Sequence, residues 1–307
     1  MPQPVVNSIQ LFAIGPDGEK VSWSSFLGPM CEAMIVTQIS FDNGLQGIAG
    51  LTTYTEHEFD QTAFHSAALM APFLLGKGLY DIPKITADMG TRYVPLKHLS
   101  MSLFDIALHD ARAKSHNLPI YQMLGAAQHK IRAYASSPLL DDIDAYLAYC
   151  HQMLDQGFNA IKIHPRCVFK DDIALVKALQ TEFAAKEIGW SLDVDANYSY
   201  QQALQMGRLL DQYRWEFFEE PLPDADLEGY KQLAAALDLD VISGGNSLPN
   251  LHLIKYGLQH RCWDRSRFDV TSIGGYTGAT RVMGVTRAEG MKAEVQSWGY
   301  TLTQAAN

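Results

Sequence analysis

Cysteine is scarce. Four are spread through 307 residues (Cys31, Cys150, Cys167 and Cys262), with no Cys-x-x-Cys pair. That spacing argues against a disulfide framework and a thiolate zinc centre, and it fits reduced thiols in a cytoplasmic setting. Positive charge is also short: 24 Lys and Arg against 34 Asp and Glu leave a formal net charge of −10. A surface of that sign repels phosphate backbones and anionic lipid, so neither nucleic acid nor membrane is expected as a partner. No uninterrupted apolar run approaches the roughly 18 residues of a membrane span. The opening MPQPVVNSIQ lacks a basic start and an apolar stretch, so no signal peptide is expected. Apolar residues, at 47%, are plentiful enough for a sizeable core, and the length suits two domains.

The chain changes rhythm part-way. MIVTQISF (34–41) and LQGIAGL flank Asp42-Asn43-Gly44, a hairpin signal. Helical patterns follow. In LSMSLFDIALHDARAKSHN, Leu103, Ile106, Ala107 and Ala111 recur at helical spacing until Asn117-Leu118-Pro119 stops the run. Strands followed by helices predict an α+β domain over residues 1–128.

From residue 129 to 307, short apolar strands alternate with amphipathic helices: IRAYAS, AIKIH, SLDVDAN, FFEEP, VISGG, RFDVTSI and KAEVQSW. Polar residues close them about every 26 residues. Seven such units predict a parallel (β/α) barrel more than an open sheet, one strand short of eight, with its site at the C-terminal strand ends. An unclosed barrel leaves two strand edges, so either a truncated chain or cover from another segment or subunit is expected.

The residues at those ends are Lys162 and His164, Asp195, Glu219, Asn246, Asp269 and Gln296. Alternation puts Lys162 with His164 on one face, and Asp193 with Asp195 and Asn197 on another. Taken singly, an Asp-x-Asp or Glu-Glu-Pro is a solvated loop, and a His before Pro a turn residue. Joint placement on successive strands changes that. Asp195 and Glu219 are hard oxygen ligands suited to Mg²⁺ or Mn²⁺, Asn246 adds a carbonyl oxygen, and Lys162 or His164 supplies a base beside them. The chemistry this suggests is removal of a proton α to a carboxylate. IGGYTG (273–278) lacks the spacing and the lysine of a phosphate loop.

The runs AIKIHP, LDVDANYSY, FFEEPLPDADLEGYKQLAAALDLDVISGGNSL, DVTSIGGYTGATRV and EVQSWGYTLTQAAN resemble the mandelate racemase/muconate lactonizing enzyme group of the enolase superfamily. The resemblance implies a capped TIM-like barrel with three carboxylates holding Mg²⁺. By motif these fall on Asp195, Glu219 and the residue at Asn246, or Gly245 if the alignment slips by one. It also implies Lys162 in a Lys-x-His variant like that of sugar-acid dehydratases, with His164 as its second member. Asp269 fits the acid of a His-Asp dyad whose histidine position holds Gln296. Asn197, Gln296 and Trp298 are the expected substrate contacts, with cap loops at Val21 to Pro29 and Tyr54 to His57 selecting a sugar acid. The expectation is a Mg²⁺-dependent dehydratase (a hydro-lyase) taking a small-molecule carboxylate and assembled as a homo-oligomer. The alternative is an inactive homologue that has lost a ligand acid and the dyad histidine, and a racemase or epimerase ranks third.

Overall fold

A computed structural model describes residues 3–15, 20, 22, 28–55, 59–94, 96, 98–125, 128–245, 250–297, 299 and 301–307. Three strands open the chain, β1 (Val6–Ile14), β2 (Cys31–Phe41) and β3 (Gln46–Thr55), paired as an antiparallel sheet in that order. The expected turn forms at Asp42-Asn43-Gly44. Gly44 takes φ +84°, where a side chain would be strained, and the Asn43 carboxamide accepts from Leu45 N at 3.1 Å. Helices α1 (Gln61–Leu74), α2 (Ile82–Arg92), α3 (His98–Ser115) and the short α4 (Ile120–Met123) follow.

Helix α3 is the keel of this half. Leu103, Phe104, Ile106, Ala107, Leu108 and Ala111 are all buried, each large one stabilising by roughly 1.5–3 kcal/mol. It meets the sheet backbone closely: a Cβ on Gly47 would lie 2.0 Å from the Ala107 carbonyl oxygen. Two residues past the helix, Asn117 takes φ +52° and turns the chain left-handed before Pro119.

Seven parallel strands then alternate with helices. They are β4 (Ala135–Ser136), β5 (Ala160–Ile163), β6 (Gly189–Asp193), β7 (Phe217–Glu219), β8 (Asp240–Ile242), β9 (Arg265–Phe268) and β10 (Lys292–Val295). Their sheet order is β10-β9-β8-β7-β6-β5-β4, the order of a TIM-like barrel wall. Between them run α5 (Ile143–Asp155), α6 (Phe169–Glu182), α7 (Tyr200–Gln212), α8 (Leu227–Ala236), α9 (Leu251–Gln259) and α10 (Gly275–Ala288), with α11 (Thr301–Ala306) last. Ile161, Ile163, Leu192, Phe218 and Phe268 are buried and alternate with the polar positions of the same strands.

Most strands stop before the polar residues that punctuate the sequence. Asp195, Ala196, Glu220 and Gly245 have φ values of +48°, +57°, +47° and +76°, so the chain turns off the ladder there. The IGG run serves docking. Gly274 N donates to Ser102 Oγ (2.9 Å) and Thr277 N to Asp105 Oδ1 (3.1 Å), joining α10 to α3. Gly275, with φ +69°, leaves room for Asp105, which a Cβ would approach to 2.3 Å. No helix among the described residues is long and apolar enough to cross a membrane.

Candidate active site

Strand alternation brings four charged side chains together. Lys162 comes from β5, Asp193 from β6, Glu219 from β7 and Arg267 from β9. Asp193 and Glu219 are register partners on adjacent strands. Lys162 Nζ donates to Asp193 Oδ2 at 2.9 Å and to Glu219 Oε2 at 2.8 Å. Arg267 Nη2 takes the other oxygen, Glu219 Oε1, at 2.6 Å, while its Nη1 donates to the Tyr134 hydroxyl at 3.3 Å. All four are buried, with none more than 7% exposed. Two acids and two bases thus cancel within one water-poor cluster, as buried charges require. Burial pulls the Lys162 ammonium down, but Asp193 and Glu219 outweigh it and hold it above the usual lysine range. Burial likewise pushes Asp193 up, and Lys162 and His164 overcome it, leaving that carboxyl well below the usual range.

His164 lies just beyond β5. Its Nδ1 is 2.7 Å from the Ser137 carbonyl oxygen, which can only accept, so Nδ1 carries a hydrogen and Nε2 faces Asp193 Oδ2 at 3.1 Å. Its backbone is fixed too: N donates to Ser137 Oγ (2.9 Å), and O accepts from the Tyr146 hydroxyl (2.6 Å). Asp195 sits in the turn after β6, where its backbone N donates to Asp193 Oδ1 at 3.1 Å. Asn197 closes that turn, Nδ2 donating to the carbonyls of Val194 (3.0 Å) and Asp195 (2.7 Å).

Asp269 sits just beyond β9. Its Oδ1 accepts from Thr271 N and Thr271 Oγ1, both at 2.6 Å, and from Asn307 Nδ2 at 3.1 Å. Gln296, beyond β10, donates its backbone N to Phe268 O at 2.9 Å, and its side-chain Oε1 is buried without a partner among the described residues. A cavity of about 200 Å³ opens between the cap and this edge, lined by Thr52, Thr53, Tyr54, Asp269, Thr271 and Ser272. Asn246, Trp298, Glu56, His57 and most of the Val21 to Pro29 loop lie outside the described residues.

Asp193 and Arg267 are the members that sequence reasoning left without a role. Alternation had placed Asp193 beside Asp195, and the same rule sets Arg267 two positions before Asp269 on β9. What it could not supply was the partner that makes a buried arginine tolerable.

Mg²⁺ requires oxygen ligands in near-octahedral array. Here each oxygen of Glu219 is already on a cation, and Asp193 Oδ2 faces both Lys162 and His164. Among the described residues no group of three or more His, Cys, Asp or Glu is placed to hold a metal ion. The described site does not fit the ion that the fold suggests.

Two family models match: the N-terminal domain of mandelate racemase/muconate lactonizing enzymes over residues 25–125, and the enolase C-terminal domain-like family over residues 145–307. L-talarate/galactarate dehydratase from Salmonella typhimurium is 28% identical over 277 residues, covering 86% of this chain and 68% of that protein. Arabinonate dehydratase from Saccharolobus solfataricus is 24% identical, covering 84% of this chain and 70% of its own length. L-Ala-D/L-Glu epimerase from Francisella tularensis is also 24% identical, but the chain spans only 59% of it. A Pseudovibrio sp. structure assigned to the mandelate racemase/muconate lactonizing enzyme group superposes with a TM-score of 0.96 at 31% identity, covering 99% of this chain and 82% of that one. Structures of L-talarate/galactarate dehydratase include one liganded with Mg and L-glucarate, TM-score 0.86 at 23% identity, covering 96% of this chain and 76% of that one, a likeness of fold. The chain belongs to the mandelate racemase/muconate lactonizing enzyme family, an enzyme family of the enolase superfamily.

Proposed function

We propose that this chain is a carbon–oxygen lyase that dehydrates a sugar acid. The observation that carries the reading is the setting of His164, its tautomer fixed by the Ser137 carbonyl and its Nε2 turned toward the barrel interior beside Asp193. In this reading Nε2 of the neutral imidazole, turned from Asp193 toward the substrate, takes the proton α to the substrate carboxylate and returns it to the departing β-hydroxyl, which leaves as water. The enol formed then tautomerises to a 2-keto acid. One group serving both proton transfers suits dehydration. Lys162 stays protonated between two carboxylates, so it is a fixed cation that positions Asp193 rather than a base. The names of the Salmonella and Saccharolobus relatives support this substrate class, and the hydroxyl-lined cavity by Asp269 suits a polyol chain.

The test is a screen of sugar acids, galactarate and talarate among them, for 2-keto-acid formation. His164→Ala should cut turnover about 10²- to 10⁴-fold with the circular dichroism spectrum unchanged. Undiminished turnover in that variant would remove His164 from the role.

A second reading, a catalytically impaired homologue, is favoured by the occupation of both Glu219 oxygens by cations. Failure of the whole screen supports it. A racemase is disfavoured because Gln296, at the dyad histidine's position, cannot take up a proton.

A further inference from the structure

The charge balance of the inner cluster points past the family pattern. Three carboxylates around a divalent ion leave an excess of negative charge for the ion to meet. In this chain the resemblance puts the neutral Asn246, or Gly245 one place earlier, at one of those positions, and Arg267 on β9 brings a cation to the cluster. Asp193 and Glu219 together carry two negative charges, and Lys162 and Arg267 return two positive ones. Within these four side chains each carboxylate is matched by a cation.

Geometry agrees with the tally. Glu219 offers two oxygens; one is 2.8 Å from Lys162 Nζ and the other 2.6 Å from Arg267 Nη2. The arginine stem runs against Gly245, where a Cβ would meet Arg267 Cγ at 2.8 Å and its carbonyl oxygen at 2.7 Å. Gly245 is one of the two residues on which the resemblance puts the third family acid. Its missing side chain and its φ of +76° let the stem pass there. The side chain thus runs from its stem beside Gly245 to a guanidinium held by Glu219 and the Tyr134 hydroxyl. It cannot be neutralised to make way, because arginine stays protonated in proteins. An arriving divalent ion would have to break a buried charge-assisted pair and then sit beside the displaced cation.

We infer that the guanidinium of Arg267 stands where the family places its divalent cation, holding Glu219 in a permanent internal ion pair, and that this chain binds no Mg²⁺ or Mn²⁺ at Glu219. The inference does not depend on the lyase reading, because it is tested without substrate.

The experiment is titration of metal-stripped protein with Mn²⁺, followed by electron paramagnetic resonance, and with Mg²⁺ by calorimetry. For the unmodified chain the expected result is no site tighter than millimolar at Glu219. A micromolar site that disappears in Glu219→Gln overturns the inference, whereas one that survives Glu219→Gln lies elsewhere and leaves the ion pair in place. Arg267→Gln should free Glu219 Oε1 and tighten Mn²⁺ binding at least tenfold over the unmodified chain. Binding no tighter than in the unmodified chain would show that Arg267 is not what keeps the cation out. If Arg267→Gln fails to fold, Arg267→Met, close in volume and uncharged, is read in its place. Sugar-acid turnover by a chain that binds no metal would sustain both readings. Absence of metal binding together with absence of turnover would remove only the lyase.

Discussion

Glu219 and Glu220 adjoin in sequence, yet the two regions they enter handle negative charge in opposite ways. Glu219 faces the cluster shared by β5, β6, β7 and β9 and is met by Lys162 and Arg267. Glu220, turned the other way by alternation and by its φ of +47°, enters a region of acids. Burial first, and then Asp193, Asp224, Asp195 and Glu219, push its carboxyl up to about 9. Nearby Asp224 spends its oxygens on Gly244 N (2.9 Å) and Gly245 N (3.2 Å). One region is balanced by cations, the other by keeping a proton. A third solution appears at Asp269, met by neutral donors from Thr271 and Asn307. The difference teaches that an acid at a strand end says little about chemistry until its partners are known.

The strongest way to break the comparison is to remove a cation from the first region. Lys162→Met keeps the stem's bulk and deletes the charge, leaving Asp193 and Glu219 underpaired in a buried site. Breaking a buried pair from one side costs about 3–5 kcal/mol, so urea denaturation should show a loss of that size. A loss below about 1 kcal/mol would mean that water already reaches the cluster.

The second region gives an effect of opposite sign. The Glu220 carboxyl ordinarily titrates at 4.5, and in the folded chain it titrates at about 9. Its protonated form therefore contributes fully below about 4.5, and that contribution is lost as pH climbs through about 9. Glu220→Gln cannot ionise, so its advantage over the unmodified chain should grow across that window. A full shift would give roughly 3 kcal/mol at pH 7. The side chain is partly exposed, which trims this to about 1–2 kcal/mol. Denaturation midpoints from pH 5 to pH 9 check it, and parallel pH curves for the two proteins would refute it.

How much of this was legible beforehand depends on which physical rule was needed. The hairpin at Asn43-Gly44, the stop of α3 before Asn117 and the parallel βα series came from local turn chemistry and periodicity, and the fold followed. Alternation also put Lys162 with His164 and set Asp193 beside Asp195. It could not rank the two aspartates, because ranking depends on where β6 leaves the ladder; the chain turns at Asp195, and Asp193 is the one that reaches Lys162. Arg267 was illegible for a related reason. An arginine in a strand reads as a surface charge unless the carboxylate opposite is known, and Glu219 lies 48 residues earlier, two strands away in the sheet.

The mildest test bears on Asp269, whose carboxylate accepts from Thr271 and Asn307. Thr271 gives it two donors, a backbone N–H and a hydroxyl, both at 2.6 Å, and Asn307 a third at 3.1 Å. Thr271→Val keeps the branched shape and the backbone donor and removes only the hydroxyl. Hydrogen bonds to charged groups contribute about 1.5–3 kcal/mol, and with two donors remaining the loss should fall near 1 kcal/mol. The same residue lines the cavity beside the cap, so the lyase reading adds an expectation that stability alone does not. If a polyol occupies that cavity, Thr271→Val should raise KM for the sugar acid several-fold while leaving kcat close to that of the unmodified chain. A fall in kcat with KM unchanged would instead give Asp269 a part in the chemical step, and this third region would then be as functional as the other two.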